Sequence, residues 1–417
     1  MHHFHYRDNH MFCEDVPVSD IAENTGTPFY LYSHATLSHH FVTFQKAFEG
    51  VPHLICFSVK SNSNLAVLRL FCDLGSGLDI VSGGELFRGL QAGMPPDRIV
   101  YSGVGKREDE IEYALQSGIL MFNIESFQEL ELINRCAARL NKKASIALRV
   151  NPDVDPGTHP YISTGLRQNK FGLDMKSAAE ACRLAADFSH VEVVGISCHI
   201  GSQVTEVAPF VDALHRIKEL IMTLEASGIS ISYLNIGGGL GITYDRESPP
   251  HPNEYGRAIS DALGESSLTL ILEPGRVIVG NAGILVTKVL YTKKGKSKDF
   301  VIVDAAMNDL VRPSFYEAYH AVEPVVRDKK ETINADIVGP ICESGDFLAK
   351  DRNIQYVEAG DLLVVMSAGA YGFTMSSNYN SRPRIPEIMV KEDKFHIVRA
   401  RESHEDLIKG ESIPPFL

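Results

Sequence analysis

Short apolar runs alternate with helical patterns through the first two thirds of the chain. Each run is bounded by polar or glycine residues and is followed by apolar residues that recur every three or four positions. An unbroken apolar run predicts a strand that is buried on both faces, and the spacing after it predicts an amphipathic helix. Eight strands are predicted in this way, over residues 53–60, 77–83, 98–103, 121–126, 145–152, 193–201, 233–239 and 269–276.

The regular spacing of these strands indicates the fold. The first five begin 21 to 24 residues apart, which is the length of one strand–helix unit. Strands that alternate with helices form a parallel sheet, and eight such units are typical of a (β/α)8, or TIM-type, barrel. Residues 153–175 form a long polar insertion after the fifth strand, and loops of this length are usually functional or mobile.

The pattern changes after residue 280. Little helix is evident there beyond the stretch around residues 315–320, and turn residues separate runs that are typical of strands. We therefore expect an antiparallel all-β domain, a sandwich or a barrel, after the (β/α)8 barrel. Its β-rich segments are residues 283–294, 299–306, 335–343, 361–370 and 387–401.

Composition narrows the class of protein. A chain of 417 residues favours two domains, and its 44% hydrophobic and 22% charged content is that of a soluble globular protein. The net charge of −13 argues against nucleic-acid binding, and no apolar run approaches the roughly 20 residues that span a bilayer. The N-terminal segment lacks the apolar core of a signal peptide, so we expect a cytoplasmic protein. Its histidines, His2, His3, His5 and His10, could bind a metal, but a flexible terminus is the favoured interpretation.

The cysteines do not form a recognisable set. The seven residues are Cys13, Cys56, Cys72, Cys136, Cys182, Cys198 and Cys342. The odd count and the absence of any C-x-x-C pair argue against a disulfide framework and against a structural zinc site, so no metal is expected. We interpret most of them as reduced thiols in the core, with Cys342 as a possible exception.

Reactive or anion-binding residues lie in or at the ends of five of the eight predicted strands. The active sites of (β/α)8 barrels lie at the C-terminal ends of the strands, so one mouth would gather these side chains. Each residue alone has an ordinary interpretation as a strand end, a helix cap, a satisfied histidine, a turn or an ion pair. The residues are Lys60, Asp79, His199, Ser202, Gly237, Gly238, Gly239, Glu273, Pro274, Gly275 and Arg276.

Together these groups suit pyridoxal phosphate. Lys60 would form the imine with the aldehyde, which requires a neutral amine, and Glu273 opposite the ring nitrogen would keep the ring an electron sink. His199 could lie flat on the ring. The run from Gly237 is not a dinucleotide fingerprint, because its sixth position is Ile242, but glycines after a strand let backbone N–H groups approach a phosphate. Arg276 could contact the same anion or a substrate carboxylate.

Eight stretches between residues 57 and 372 carry a resemblance to a known family. They are FSVKSN, LDIVSGGE, HIGSQ, NIGGGLGI, EPGR, RPSFYEAYH, CESGD and AGAYG. With them the chain resembles the barrel-type amino-acid decarboxylases that use pyridoxal phosphate, and within these the branch that acts on meso-2,6-diaminopimelate. The resemblance implies an alanine-racemase-like architecture, with a barrel over residues 29–278 and a β-domain from residues 1–28 and 279–417. It also implies a homodimer whose active sites are shared across the interface.

The resemblance assigns roles to particular residues. Lys60 would be the Schiff-base lysine, His199 the ring-stacking residue and Glu273 the partner of the pyridine nitrogen. The cofactor environment would include Asp79, Ser202, the glycines 237–239 and residues 274–276. From the β-domain, Cys342 would donate a proton in the partner subunit's site, and Tyr371 would contact the cofactor phosphate and the substrate.

The implied reaction is the decarboxylation of meso-2,6-diaminopimelate to L-lysine and carbon dioxide, the last step of lysine biosynthesis. The resemblance assigns Arg312, Tyr316 and Glu343 to the distal end of this substrate, together with Arg276 and Tyr371. Bidentate pairing with the distal carboxylate makes physical sense of Arg312. The ordinary interpretation of Arg312 and Glu343 is a surface or interface ion pair.

Three other functions stay open. A decarboxylase of ornithine, arginine or a polyamine precursor is disfavoured by Arg312 and Glu343. An amino-acid racemase is disfavoured because racemases with this barrel have an arginine where this chain has Glu273. A non-catalytic regulator that binds pyridoxal phosphate would lack the β-domain and would leave Cys342, Tyr371 and the segment after residue 280 unexplained.

Overall fold

A computed structural model describes residues 2–155, 170–328 and 331–417. The chain divides into two compact units. The barrel unit is Ser38–Thr243 with Glu247–Ile278, and the sheet unit is Met1–Leu37, Tyr244–Arg246 and Val279–Leu417. Most of the predicted insertion at 153–175 lies outside the described residues. In the described part of the chain, none of the helices combines the length and apolar character needed to cross a membrane.

The N-terminal segment is an ordered part of the sheet unit. Its elements are β1 (Phe4–Arg7), β2 (His10–Cys13), β3 (Val16–Pro17), α1 (Val18–Thr25), β4 (Phe29–Ser33) and α2 (His34–Lys46), the last of which continues into the barrel unit. β1 and β2 pair antiparallel, with His5 opposite Phe12. Phe4, Met11 and Cys13 are buried in the hydrophobic core. The expectation of a flexible terminus is therefore wrong, because alternate residues of this hairpin fill a core.

Eight parallel strands close the predicted barrel. They are β5 (His53–Ser58), β6 (Gly77–Ile80), β7 (Ile99–Tyr101), β8 (Met121–Ile124), β9 (Ala144–Arg149), β10 (Val191–Ser197), β11 (Tyr233–Asn235) and β12 (Thr269–Leu272). The (β/α)8 fold is thereby confirmed. Most strands end earlier than predicted, because their polar and glycine residues leave the ladder to form the βα loops. Within the barrel, Cys56, Val100, Met121, Ala147 and Ile271 form a small apolar core.

Helices follow the barrel strands. They are α3 (Leu65–Asp73), α4 (Gly83–Gln91), α5 (Glu108–Ser117), α6 (Phe127–Arg139), α7 (Met175–Ala186), α8 (Ala208–Ala226), α9 (Pro252–Leu263) and the short α10 (Arg276–Val279). Polar residues after the strands begin several of them: the side chains of Asn64, Ser82 and Ser126 accept hydrogen bonds from backbone N–H groups of the first turn. These caps explain part of the polar sequence at the mouth without any catalytic role.

The C-terminal part completes the sheet unit. Its elements are β13 (Gly283–Lys293), β14 (Asp299–Val303), α11 (Arg312–Tyr316), β15 (Val322–Pro324), β16 (Thr332–Val338), β17 (Phe347–Gln355), β18 (Leu362–Val365), β19 (Glu387–Lys391), β20 (Lys394–Arg399) and α12 (His404–Leu407). The main sheet has the order β17-β16-β14-β13-β4-β19-β20, and β18 pairs with β13 and β15. Most pairs are antiparallel, as predicted.

The sheet differs from the prediction in two respects. The pairs β14–β16 and β4–β19 are parallel, so the sheet is mixed. In addition, the predicted start of the barrel at residue 29 falls inside the sheet unit, because Leu31 of β4 lies opposite Ile284 of β13 and Ile388 of β19. The apolar run at β4 is buried from Phe29 to Ser33, and a local pattern does not tell which of two sheets buries it.

Candidate active site

A cavity of about 340 Å³ opens where the barrel strands end. The structure brings together three of the predicted residues in its wall, Lys60, His199 and Glu273. The wall also contains polar residues that the sequence analysis did not single out, among them Asn123, Arg149, Ser197 and Asn235. Cavities with a few convergent polar groups at this end of a (β/α)8 barrel are typical of active sites.

Lys60 faces a buried carboxylate. It lies on a single 3-10 turn, Val59–Ser61, directly after β5, and its Nζ donates to Asp79 Oδ2 at 2.6 Å. Asp79 is fully buried within β6, and Ser58 Oγ lies 2.9 Å from the same carboxylate oxygen. The ordinary interpretation, a lysine that ends a strand and extends into water, does not explain this contact. The ion pair fixes the position of the amine at the cavity wall.

Glu273 follows β12 and is held by two side-chain amides. Its Oε1 accepts from Asn235 Nδ2 at 2.6 Å and from Asn123 Nδ2 at 3.2 Å. Burial, reinforced by the nearby Asp79 carboxylate, raises the pKa of Glu273 to about 7, while Lys60, Asn235 and Arg149 act in the opposite direction. The carboxyl group is therefore balanced between its two protonation states near neutral pH.

His199 follows β10 and is held in one tautomer. Its Nδ1 lies 3.3 Å from the N–H of Gly238, which can only donate, so the proton of the neutral ring is on Nε2. Burial lowers the pKa of His199 well below its usual value, and the cations Arg149 and Lys60 lower it further. The ring is thus neutral at physiological pH, which suits stacking on a flat ligand.

The glycine run after β11 approaches neighbouring strands closely. Gly237 has φ +68°, and its N–H donates to Asn235 Oδ1 at 2.8 Å. A Cβ on Gly238 would lie 2.1 Å from the carbonyl oxygen of Glu273, so only glycine fits there. Because the N–H groups of Gly237 and Gly238 donate within the protein, any anion contact of this run rests on Gly239.

Three strand ends meet at a group of potential anion ligands. Arg276 is buried, and its Nη2 donates to Ser202 Oγ at 2.9 Å. Gly239 packs against Gly201, the neighbour of Ser202, since a Cβ on Gly239 would come within 2.5 Å of the Gly201 carbonyl oxygen. A guanidinium, a hydroxyl and nearby glycine backbone form a donor set that suits a phosphate.

Pro274 and Gly275 connect Glu273 to this group. The carbonyl oxygen of Pro274 accepts from the N–H of Ser58, at 3.0 Å. A Cβ on Gly275 would lie 3.0 Å from Ser61 Oγ, so the segment packs tightly against the turn that carries Lys60. These two residues therefore position their neighbours through the backbone.

Arg149 is a site residue that the sequence analysis missed. It ends β9, its Nη1 pairs with Glu125 Oε1 at 2.7 Å, and its guanidinium lies 4.8 Å from the ring centroid of Phe171. The available signal was an arginine at the end of an otherwise apolar strand. Asn123 and Asn235 gave the same kind of signal, a polar side chain inside a short buried strand.

Comparisons with known proteins identify the family of this chain. The family described as "Pyridoxal-dependent decarboxylase, pyridoxal binding domain" matches residues 34–280. The chain is 52% identical to the diaminopimelate decarboxylase of Pseudomonas aeruginosa, over 99% of both chains, and 52% identical to that of Vibrio cholerae over the whole of both. The chain belongs to the pyridoxal-dependent decarboxylases.

A solved structure of the same family extends the comparison to three dimensions. The diaminopimelate decarboxylase of Helicobacter pylori, crystallised with L-lysine, superposes with a TM-score of 0.91 at 44% identity, and the match covers 94% of this chain and 98% of that one. The expected cofactor class, decarboxylase class and fold are thus confirmed.

The cavity of this decarboxylase fits pyridoxal phosphate. Lys60 in the wall would offer an amine to the aldehyde, and Glu273 would offer a carboxylate to the ring nitrogen. Arg276 and Ser202, which are not among the residues of the wall, would offer donors to the phosphate. Two wall atoms, Asn123 Oδ1 and Ser197 Oγ, are buried and, among the residues that the structure describes, have no hydrogen-bond partner. Buried polar atoms without a partner are unfavourable, so a polar ligand would satisfy them.

The other predicted site residues belong to the sheet unit. Arg312 begins α11 and is buried; its Nη1 lies 2.9 Å from His320 Nε2, and its guanidinium lies 4.6 Å from the ring centroid of Tyr244. Tyr316 ends the same helix. Arg312 is therefore a buried, oriented cation, which its interpretation as a surface ion pair does not explain.

The loop with Cys342 and Glu343 is exposed. Glu343 Oε2 accepts from the hydroxyl of Tyr379 at 2.7 Å, and the thiol of Cys342 is free and exposed. Tyr371 has φ +56°, a backbone conformation that is costly for a bulky residue and that often marks functional positions. The roles of these residues stay predictions.

Proposed function

We propose that this pyridoxal-dependent decarboxylase converts meso-2,6-diaminopimelate to L-lysine and carbon dioxide. The observation that carries the proposal is 52% identity, over the whole chain, to proteins named diaminopimelate decarboxylase. The Helicobacter pylori relative binds L-lysine, the product of the proposed reaction. Motifs in both units of the chain contribute to the likeness, so it is not a property of the barrel alone.

The barrel residues bind the cofactor and tune its environment. When bound, pyridoxal phosphate supplies the electron sink that accepts the electrons of the breaking C–CO2 bond. Lys60 attaches the cofactor, and Asp79 orients the Lys60 amine. Glu273 would hold a proton at the ring nitrogen, and the neutral side chain of His199 would contact the cofactor ring. Arg276 and Ser202 hold the phosphate through charge-assisted and hydroxyl hydrogen bonds.

Residues of the sheet unit recognise the substrate and supply a proton. Arg312 binds the distal carboxylate, helped by the hydroxyl of Tyr316, and Glu343 binds the distal ammonium. Tyr371 contacts the cofactor phosphate and the substrate. Cys342 Sγ donates the proton that replaces the departing carboxylate at the α-carbon. The orientation of Arg312 by His320 and Tyr244 supports its assignment, because a bidentate carboxylate contact requires a fixed guanidinium.

The proposed assembly is a homodimer in which Cys342 and Glu343 enter the partner's active site. Both residues are exposed in the single chain, and an exposed thiol with an adjacent carboxylate on a loop is available to another subunit. A C2 dimer would form two equivalent composite sites.

The substrate is tested by measuring carbon dioxide release from the cofactor-loaded protein. Parallel reactions contain meso-diaminopimelate, ornithine, arginine or lysine. We expect release from diaminopimelate alone, with L-lysine as product. Carbon dioxide release from another amino acid would support decarboxylation but contradict the proposed substrate. Racemisation without carbon dioxide release would contradict the assignment of this chain as a decarboxylase of these amino acids.

A variant of the distal pocket sharpens the result. Arg312→Lys keeps the charge but loses the planar fork, so we expect KM for diaminopimelate to rise roughly tenfold or more with a smaller change in kcat. The matched control is Arg246→Lys, at a largely exposed arginine. Equal kinetics of the two variants would remove Arg312 from substrate binding.

A further inference from the structure

Two buried asparagines of the barrel converge on one oxygen of Glu273. Asn123 lies within β8 and Asn235 ends β11; they are 2% and 1% exposed. Buried positions within strands are usually apolar, because burying an amide is costly unless the amide is hydrogen-bonded. Their Nδ2 atoms lie 3.2 and 2.6 Å from Glu273 Oε1, and neither donates to Oε2.

The orientation of the Asn235 amide follows from its second contact. The other end of this amide faces the N–H of Gly237 at 2.8 Å. A backbone N–H can only donate, so the amide atom that faces it must be Oδ1, and the NH2 group must face Glu273. Asn235 therefore links the glycine run to the carboxylate, and it always presents a donor to Oε1.

The Asn123 amide is oriented by Glu273 alone, because the hydroxyl of its other partner, Ser102, can either donate or accept. Its NH2 group lies 2.9 Å from Ser102 Oγ as well as 3.2 Å from Glu273 Oε1. A reversed amide would place Oδ1 against Oε1, two acceptors in a buried site, which is unfavourable. β11, the neighbour of β12, and β8, on the opposite side of the closed barrel, thus supply N–H donors to the same carboxylate oxygen.

We propose that Asn123 and Asn235 are positioning residues that hold Glu273 by Oε1 and keep it ionised, so that its other oxygen can bind the protonated ring nitrogen of the cofactor. The inference rests on the proposed function of Glu273. Burial and the neighbouring Asp79 favour the neutral carboxyl group, whereas the hydrogen bond from Asn235 favours the carboxylate. The N–H of Asn123, which faces the same oxygen, acts in the same direction because a donor stabilises a carboxylate. Loss of the amide donors would favour the neutral carboxyl group further, and a neutral carboxyl group would hold the proton on the ring nitrogen less strongly than a carboxylate.

The test compares two cofactors in one variant. Asn235→Asp keeps the size of the side chain and its acceptor for Gly237, but it places a carboxylate oxygen against Glu273 Oε1. The two carboxylates must then share a proton. Affinity is measured for pyridoxal phosphate and for its 1-deaza analogue, in which carbon replaces the ring nitrogen. The ratio of the affinity for pyridoxal phosphate to the affinity for the analogue should be about tenfold or more lower in the variant than in the wild-type protein, as one pKa unit corresponds to a factor of ten.

A merely structural role predicts a different result. If Asn235 only supports the fold, both affinities fall by the same factor and their ratio stays unchanged, which would overturn the proposal. Asn134→Asp is the matched control. Asn134 lies on the outside of the barrel, and its Oδ1 accepts a hydrogen bond from the backbone N–H of His190, as Asn235 Oδ1 accepts one from Gly237. The same substitution there should leave the ratio of the two cofactor affinities unchanged. No substrate is added, so a wrong substrate assignment would not affect this outcome.

The pH profile provides a second measurement. With Asn235→Asp we expect the acidic limb of kcat to move to higher pH, because Glu273 would ionise only at higher pH, while KM changes less. Asn123→Asp makes the same change from the other strand and keeps the test available if the first variant does not fold. Unshifted profiles in both variants would contradict the proposal.

Discussion

Glu273 carries a buried carboxylate whose ionisation is costly in the cofactor-free protein. Its pKa, raised to about 7, lies above the usual value of about 4.5, so the folded state binds this proton more tightly than the unfolded state. The corresponding stability is fully present below the unfolded pKa and is lost as the pH rises through 7. The residue that we propose binds the cofactor therefore destabilises the cofactor-free protein at neutral and alkaline pH, as functional residues often do.

Glu273→Gln should therefore stabilise the cofactor-free protein in alkaline solution. The glutamine keeps an acceptor for Asn123 and Asn235 but carries no charge. We expect a gain of about 3 kcal/mol in the free energy of unfolding at pH 8, since each pKa unit corresponds to about 1.4 kcal/mol, and almost no gain near pH 4.5. Urea unfolding followed by circular dichroism measures both values.

The control is Glu225→Gln, at an exposed position of α8, which should change stability little at either pH. A gain that is equal at pH 4.5 and pH 8 would show that the cause is packing and not the ionisation of Glu273.

At the scale of elements, Glu14 joins three segments that are far apart in the sequence. Its Oε1 accepts from Ser33 Oγ, at the end of β4, and from the N–H of Ala35 in α2, both at 2.8 Å. Its Oε2 accepts from the N–H of Glu392, at the turn between β19 and β20, at 2.7 Å. The side chain is 7% exposed, so these bonds hold the N-terminal hairpin within the sheet unit.

Glu14→Gln should destabilise the sheet unit. Both carboxylate oxygens of Glu14 accept hydrogen bonds, so the NH2 group of a glutamine would face an N–H or O–H donor. This buried NH2 group would have no acceptor. We expect a loss of about 1–3 kcal/mol in the free energy of unfolding, measured in urea. The same substitution at Glu23, an exposed position of α1, should stay within about 0.5 kcal/mol. Equal stability of the two variants would mean that the three contacts are replaceable.

These elements show what a local pattern predicts and what it does not. The eight barrel strands were predictable because each is a compact apolar run followed by an amphipathic helix, and Lys60, His199 and Glu273 follow from the rule that strand ends form the mouth. The role of Glu14 was not predictable from the sequence, because its hydrogen-bond partners lie up to 378 residues away along the chain. The membership of β4 in the sheet unit likewise depends on partners from β13 and β19.

The polar residues within strands were missed for a related reason. A single asparagine in a four-residue apolar run does not disturb the strand pattern, and its meaning appears only when Asn123 and Asn235 are both seen to face Glu273. The sequence therefore predicted residues at the ends of strands, such as Glu273, better than the residues that contact them, such as Asn123 and Asn235.

At the scale of the whole molecule, the homodimer proposal assigns the residues of one active site to two subunits. Lys60→Ala removes the cofactor attachment, and Cys342→Ala removes the proton donor while the cofactor stays bound, so each variant alone should be nearly inactive. In a mixed dimer of the two variants, one site would contain both substitutions and the other would contain neither.

Mixing the two variants tests this arrangement directly. If they are co-refolded in equal amounts and associate at random, about half of the dimers are mixed and each has one intact site, so carbon dioxide release should recover to about a quarter of the wild-type value. Refolding each variant alone is the control and should recover nothing. If each site were built from a single chain, no mixed dimer would contain an intact site, and activity would stay at the level of the separate variants.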